Sequence, residues 1–263
     1  MAQKAFLVGI NKYPGAPLNG CLNDIQDMSK YLSECGFKSK DIRTLTDNMA
    51  TTKAILDGLA WLVKGAIAGD RLFFQFSGHG VQVPTRNAAA EVDGLDEAIC
   101  PVNFSWTDAT TIRDKQFREI FATVPVGVSF LWVSDSCHSG DLSKDMPPAG
   151  QTPRTMFLPT GHPLADDMAK AKAFPKKKPV ATRVNAALIS GCTSRQTSAD
   201  ALIDGRYNGA CTYYLLKILR SNPPAPLKDI VQLLNTELKI NGYSQSPRLE
   251  GSKTSTSQMF FKP

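Results

Sequence analysis

Residues 71–80, RLFFQFSGHG, and residues 128–140, VSFLWVSDSCHSG, decide the fold. Each is a short apolar run that breaks into small polar residues and glycine, as a strand does where it enters a loop. Runs that are apolar on successive residues are buried on both faces, which is the habit of parallel sheets covered by helices. Two more runs of this kind, Ala5–Ile10 and Val184–Ser190, flank them. Helical spacing appears between the runs. Cys21–Cys35 carries Leu22, Ile25, Met28, Tyr31 and Leu32 on one face and stops at Gly36. Thr51–Ala68 carries Ile55, Leu59, Leu62, Val63 and Ile67, with Thr51 or Thr52 as its cap. Asp114–Thr123, Ala210–Arg220 and Leu227–Ile240 are further helices, and Gln258–Phe261 reads as a last strand. The alternation predicts an α/β protein with a mainly parallel central sheet covered on both faces.

Ligands bind such sheets at the carboxyl ends of the strands. One of the two deciding strands runs into Ser77-Gly78-His79-Gly80 and the other into Asp135-Ser136-Cys137-His138. A cysteine peptidase needs this pair: a thiol nucleophile, and an imidazole that takes its proton and later protonates the leaving amine. The flanking glycines admit a close backbone approach, which makes the N–H groups of Gly80 and Cys137 candidate oxyanion donors. Taken singly, Cys137 fits a buried core thiol and His79 a loop histidine. Their joint position at two strand ends favours the dyad. His138 is a weaker base, because strand alternation turns it away from Cys137. His162 falls in an irregular stretch and is expected at the surface.

The chain has 263 residues, a formal net charge of +6, 21% charged residues and 42% hydrophobic ones, an ordinary globular composition. The charge is uneven: residues 1–143 are net −3, residues 144–183 net +5 and residues 184–263 net +4. A fold-wide nucleic-acid surface is excluded by that distribution. The start, MAQKAFLVGINKY, lacks the pattern of a signal peptide, and no run approaches the roughly 20 apolar residues of a membrane span. The six cysteines form no CxxC pair. Thiols in a reducing, cytoplasmic setting are expected.

Seven segments, in order, resemble the metacaspases and their prokaryotic relatives, the orthocaspases. They are KAFLVGINKY (4–13), NGCLNDIQDM (19–28), FFQFSGHGVQV (73–83), DGLDEAICP (93–101), VSDSCHSGD (133–141), ALISGCTSRQTSADA (187–201) and NGACTYYLL (208–216), with GYSQSPRLEGS (242–252) near the end. The resemblance implies a caspase-like three-layer α/β/α sandwich with a mostly parallel central sheet, His79 as base and Cys137 as nucleophile. It also implies one peptidase domain over residues 1–263. Residues 1–143 would be its large-subunit-like part, 144–183 an insertion and 184–263 the small-subunit-like part. Asp24 and Asp135, with Cys21 and Ser77, would line the pocket for the residue before the scissile bond (P1). Two carboxylates there would select Arg or Lys and reject Asp. By the same resemblance the protein is expected to be a monomer that acts on protein or peptide substrates; the charge distribution and the short apolar runs add the expectation that neither nucleic acid nor membrane is a partner.

Many relatives require calcium, and Asp93, Asp96, Glu97 and Asp114 are candidate ligands for it. The family's paired aspartates fall at Arg113-Asp114 here, however, and Lys144 stands at a further acidic position, with Asp141 nearby. The expectation is that calcium is not required. Ser194-Arg195 likewise stands where relatives often carry acidic residues. Residues 144–183 hold 7 of the 17 prolines and read as a long mobile surface insertion. Arg154, Lys170, Lys172, Lys176, Lys177, Lys178 and Arg183 there are candidate cleavage sites for a protease with a basic P1 preference. A catalytically silent scaffold that binds protein partners is the alternative reading. The intact Cys137/His79 pair argues against it.

Overall fold

The computed structural model describes residues 1–85, 94–137, 150–173, 185–193, 196–221 and 224–263. Its strands and helices follow in chain order. β1 is Gln3–Gly9, α1 Cys21–Glu34, β2 Ile42–Thr46, α2 Thr52–Val63 and β3 Arg71–Ser77. Then come β4 (Gly80–Pro84), β5 (Leu95–Ile99), β6 (Ile112–Arg113), α3 (Asp114–Phe121) and β7 (Ser129–Asp135). β8 (Gln151–Pro153), α4 (Ala165–Ala173), β9 (Ala187–Ser190), β10 (Ala199–Ile203) and β11 (Arg206–Gly209) follow. The chain closes with α5 (Ala210–Ser221), α6 (Leu227–Ile240), β12 (Arg248–Gly251) and the short α7 (Lys253–Thr256).

The main sheet has the order β12-β9-β7-β3-β1-β2. Its strands run parallel except β12, which pairs antiparallel with β9. Alternation along each strand builds two cores. Ala5, Leu7, Phe73, Leu131 and Val133 face one side, with α1, α5 and α6. Phe6, Val8, Phe74, Phe76 and Phe130 face the other, with α2 and α3. The result is the three-layer caspase-like sandwich, and it accounts for strands that are apolar on consecutive residues.

Two three-stranded sheets, β4-β5-β6 and β11-β10-β8, lie apart from the main one. Asp204 and Gly205, at φ +51° and +79°, close the two-residue hairpin between β10 and β11. α2 stops at Val63, short of the expected Ala68, because Gly65 takes φ +71° and the chain turns away. Gln258–Phe261 makes no strand. Only Met259 forms a bridge, to Pro226, while Phe260 and Phe261 pack into the core. The described part of the insertion also departs from a mobile surface loop. β8 pairs with β10, α4 puts Met168 and Ala171 against Leu95, and Arg154 is wholly buried.

Candidate active site

The strand register brings the site together. Gly9 pairs with Ser77, and Ser77 with Asp135, so β1, β3 and β7 end level. His79 and Cys137 each lie two residues beyond one of these paired ends.

His79 is buried, and its ring lies against Tyr13 with centroids 4.6 Å apart. Its Nε2 is 2.8 Å from the carbonyl oxygen of Ala16. A carbonyl only accepts, so Nε2 carries the proton and Nδ1 holds the lone pair. That Nδ1 is buried and has no hydrogen-bond partner among the described residues. The Tyr13 hydroxyl accepts the His79 amide at 3.2 Å and donates to the Cys100 carbonyl at 2.8 Å, which ties the loop down. Burial pushes the imidazole down to about 4; the Ala16 bond opposes this and the charge of Arg154 adds to it. At neutral pH the ring is uncharged. The carbonyl of Ala16 thus fixes the tautomer and orientation of the ring.

The Cys137 sulfur accepts the amide of Ser198 at 2.6 Å. It is also joined in a disulfide to Cys192, which follows β9, with the two Cα atoms 6.2 Å apart. In this form Cys137 has no free thiol.

The chain's own insertion fills the cleft. The carbonyl oxygen of Arg154 accepts the amide of Gly80 at 3.1 Å and that of Cys137 at 3.0 Å, so the two candidate oxyanion donors converge on one carbonyl. The Arg154 amide donates to the Ser198 carbonyl at 2.9 Å. Its guanidinium is enclosed by three carboxylates: Asp24 at 2.7 Å, Asp200 at 2.9 Å and Asp135 at 3.4 Å. Asp24 and Asp135, 111 residues apart in sequence, meet on this one cation.

The carboxylates are themselves held. Gly209 N–H donates to Asp24 at 2.9 Å. Asp135 accepts from Ser198 Oγ at 2.7 Å, Thr212 N–H at 2.8 Å and Thr212 Oγ1 at 2.7 Å. The amides of Asn19 and Gly20 donate to Asp200 at 2.7 and 2.9 Å. A Cβ on Gly209 would overlap both the Arg154 guanidinium and the Asp135 carboxylate, so the pocket wall requires glycine there. Burial raises Asp24 to about 7, against the opposing pull of Arg154. Cys21, one turn before Asp24 on α1, is buried and feels the Arg154 charge, but burial dominates and pushes its thiol up. Ser77 sits at the paired end of β3, where its hydroxyl accepts from Gln75 at 3.2 Å.

Three of the calcium candidates, Asp96, Glu97 and Asp114, lie among the described residues. Asp96 is occupied by Arg113 and Lys115, each at 2.8 Å, and Asp114 pairs with Arg118 at 2.5 Å. Glu97 and Asp114 share a groove with Arg118, Arg248 and Glu250. Among the described residues no group of three or more His, Cys, Asp or Glu side chains could hold a metal. Two of the described candidates, Asp96 and Asp114, are already paired with cations, a poor donor set for Ca²⁺. Asp93, His138, Asp141, Lys144, Lys176, Lys177, Lys178, Arg183, Ser194 and Arg195 lie outside the described residues. Lys172 lies within α4, with its side chain outside them, and Lys170 is exposed on that helix. His162 is half-buried beside Trp106, not fully exposed.

Asp200, Ser198, Thr212, Tyr13 and Cys192 are site residues that reading strand ends does not find. Asp200 and Ser198 sit in the quoted stretch QTSADA, but nothing local to it marks a carboxylate that turns toward a distant pocket.

A parallel sandwich with histidine and cysteine beyond neighbouring strand ends is the construction of a caspase-like cysteine peptidase. Residues 3–146 match the model of the metacaspase peptidase C14 domain. Metacaspase-1 of Mycosarcoma maydis is 30% identical over 95% of this chain and 70% of its own length. Metacaspase-1 of Lodderomyces elongisporus is 33% identical over 95% of this chain and 65% of its own. The chain therefore spans about two thirds of the length of these relatives. The crystal structure of protein GSU0716 from Geobacter sulfurreducens superposes with a TM-score of 0.73 at 26% identity, covering 100% of this chain and 99% of that one. The chain belongs to the metacaspase family, and its activity class is that of a cysteine-type peptidase. Among the described residues no helix is long and apolar enough to cross a membrane.

Proposed function

We propose that this protein is a cysteine endopeptidase that cleaves after Arg or Lys through Cys137 and His79. The observation that carries the reading is the seat of Arg154. A basic side chain fills a pocket of three carboxylates while its carbonyl oxygen takes two converging N–H groups, at 3.1 and 3.0 Å. A substrate is bound in this way at the start of acyl transfer. Reduced Cys137 gives its proton to Nδ1 of His79, and the thiolate attacks the P1 carbonyl carbon. The oxyanion stays between Gly80 and Cys137 N–H; losing one such donor typically costs on the order of 3 kcal/mol. His79 returns the proton to the leaving amine. Water then hydrolyses the thioester, restoring the thiol and releasing a carboxylic acid.

The Arg154–Thr155 bond lies where such a bond would be cut, so cleavage in the loop after the nucleophile is part of the proposal. Until it is cut, the segment blocks the cleft. We further propose a monomer that needs no calcium, since Arg113 and Lys115 already serve the acidic cluster. Partners are protein or peptide substrates with a basic P1.

Fluorogenic peptides with Arg, Lys or Asp at P1 test the reading on reduced wild type and on Cys137→Ala. Cleavage after Arg and Lys alone, lost in Cys137→Ala, is expected. Cleavage after Asp, or turnover that survives in Cys137→Ala, overturns it. Titration with EGTA and Ca²⁺ is expected to leave the rate unchanged; a large calcium activation overturns that part.

A further inference from the structure

Gly80 touches the bound segment on both sides of the Arg154–Thr155 bond. Its N–H donates to the Arg154 carbonyl at 3.1 Å, and its own carbonyl accepts the Met156 amide at 2.8 Å. The Thr155 hydroxyl reaches the same carbonyl at 3.3 Å. Both main-chain groups are free for this because β4 pairs with β5 through the residue before it: Cys100 N–H donates to the His79 carbonyl at 2.9 Å, and Gly80 stands opposite Ile99. Gly80 therefore offers an unpaired edge, and the chain beyond Arg154 lies on it as an added parallel strand. The Met156 side chain is half-buried against the apolar core on that side of the sheet.

The segment before the scissile bond is held differently. Arg154 N–H donates to the Ser198 carbonyl, and Pro153 stands opposite Ala199. The Ala199 amide turns away and donates to Gln245 Oε1 at 3.0 Å. Among the described residues no main-chain bond is directed at the residue before P1 (P2), so proline there forfeits nothing.

We propose that the Gly80 carbonyl is a specificity determinant for the second residue after the scissile bond (P2′). It receives that residue's amide N–H, so the enzyme favours internal bonds with an apolar P2′, accepts proline at P2 and rejects it at P2′. This rests on the cleavage reading above. A Gly80 carbonyl that loses the amide keeps only the longer contact from the Thr155 hydroxyl at 3.3 Å, which weakens turnover about tenfold. Proline at P2′ removes the same donor and adds ring atoms where the Gly80 oxygen lies, so its loss is larger.

The test uses the reduced full chain and peptides based on Gln-Thr-Pro-Arg-Thr-Met-Phe. One peptide replaces the Met amide by an ester, one carries proline at P2′, one glutamate at P2′ and one alanine at P2. A coumarin amide that ends at Arg serves as reference. Expected is a kcat/KM about tenfold lower for the ester, lower still for P2′ proline, reduced for glutamate, and similar for alanine and proline at P2. Equal cleavage of native, ester and P2′-proline peptides overturns the inference, while coumarin release leaves the cleavage reading standing. If neither the coumarin nor any Arg peptide is cut by a reduced chain whose Cys137 a parallel sample shows to react with iodoacetamide, both fall. In cis, Met156→Pro is expected to slow cutting at Arg154–Thr155 while Met156→Leu does not.

Discussion

The amide of Cys137 donates to the carbonyl oxygen of Arg154 at 3.0 Å. The proposed nucleophile and the carbonyl it would attack are thereby fixed by one hydrogen bond within a single chain. Such a segment competes at the effective concentration of a tethered ligand, commonly millimolar, so a substrate arriving from solution meets an occupied cleft. On the proposed reading, binding in cis and inhibition in cis are the same set of contacts.

Substituting Arg154 separates charge from shape. Arg154→Lys keeps one positive charge among Asp24, Asp135 and Asp200 but loses the planar guanidinium that reaches all three. Slower cutting at that bond is expected by intact mass spectrometry. Arg154→Ala is expected to abolish it. Removing the cation strands three buried carboxylates, and breaking a buried ion pair of this kind costs about 3–5 kcal/mol, visible as a lower thermal midpoint. An uncut Arg154→Lys chain, or an Arg154→Ala chain as stable as wild type, would contradict this account.

The pocket also gives a pH dependence with a defined sign. Asp24 sits at about 7 because burial raises it, so it gains a proton as pH falls through that value and stops attracting a guanidinium. His79, held at about 4, stays neutral over the same interval and cannot supply that limb. Cleavage of Arg peptides is expected to decline as pH drops through about 7. Asp24→Asn should be slower at every pH and should lack that limb. A wild-type profile flat down to about pH 5, well below the raised value of Asp24, would count against the assignment.

How much of this could be read in advance follows from where the signals live. Burial on both faces writes β1, β3 and β7 as apolar runs, and the residues just beyond them, His79 and Cys137, follow directly. β2 is half exposed and β12 mostly so, and both leave only a mixed pattern. β10 and β11 are marked chiefly by the Asp204-Gly205 turn. Arg154 shows why composition misleads: a proline-rich basic stretch reads as solvated surface unless the acidic partners can be placed. Those partners come from α1, β7 and β10, and their meeting is a property of the fold, not of any one segment. Gly80's second role depends on which way its carbonyl faces, and local residue type does not record that.

Thr212 tests whether the pocket depends on residues that touch no substrate. Its hydroxyl donates to Asp135 at 2.7 Å and accepts from Gln75 at 3.2 Å. Thr212→Val keeps the shape and the backbone bond but deletes a hydrogen bond to a charged group, worth about 1.5–3 kcal/mol. A higher KM for Arg peptides is expected, with the alkylation rate of reduced Cys137 unchanged. If KM stayed the same, Asp135 would be positioned without Thr212.

Cys192 offers a final prediction. Its Cα lies 6.2 Å from that of Cys137, within the span a disulfide bridges, and the two sulfurs are joined. While that bond stands, no thiolate can attack. A dithiol reductant supplies two electrons and two protons, releasing both thiols, and activity is expected to require it. The return path needs a two-electron oxidant such as hydrogen peroxide. Peroxide converts the Cys137 thiol to a sulfenic acid and water; the Cys192 thiol then displaces a second water and closes the bond. Wild type that is first reduced, freed of reductant and then treated with peroxide should lose two hydrogens by intact mass and recover fully with dithiothreitol. Cys192→Ala should be active without reductant, yet after peroxide it should gain two oxygens at Cys137 and stay inactive, because a sulfinic acid is not reversed by dithiothreitol. Wild type that is active without reductant, with both sulfurs open to alkylation, would show that Cys192 does not guard the nucleophile.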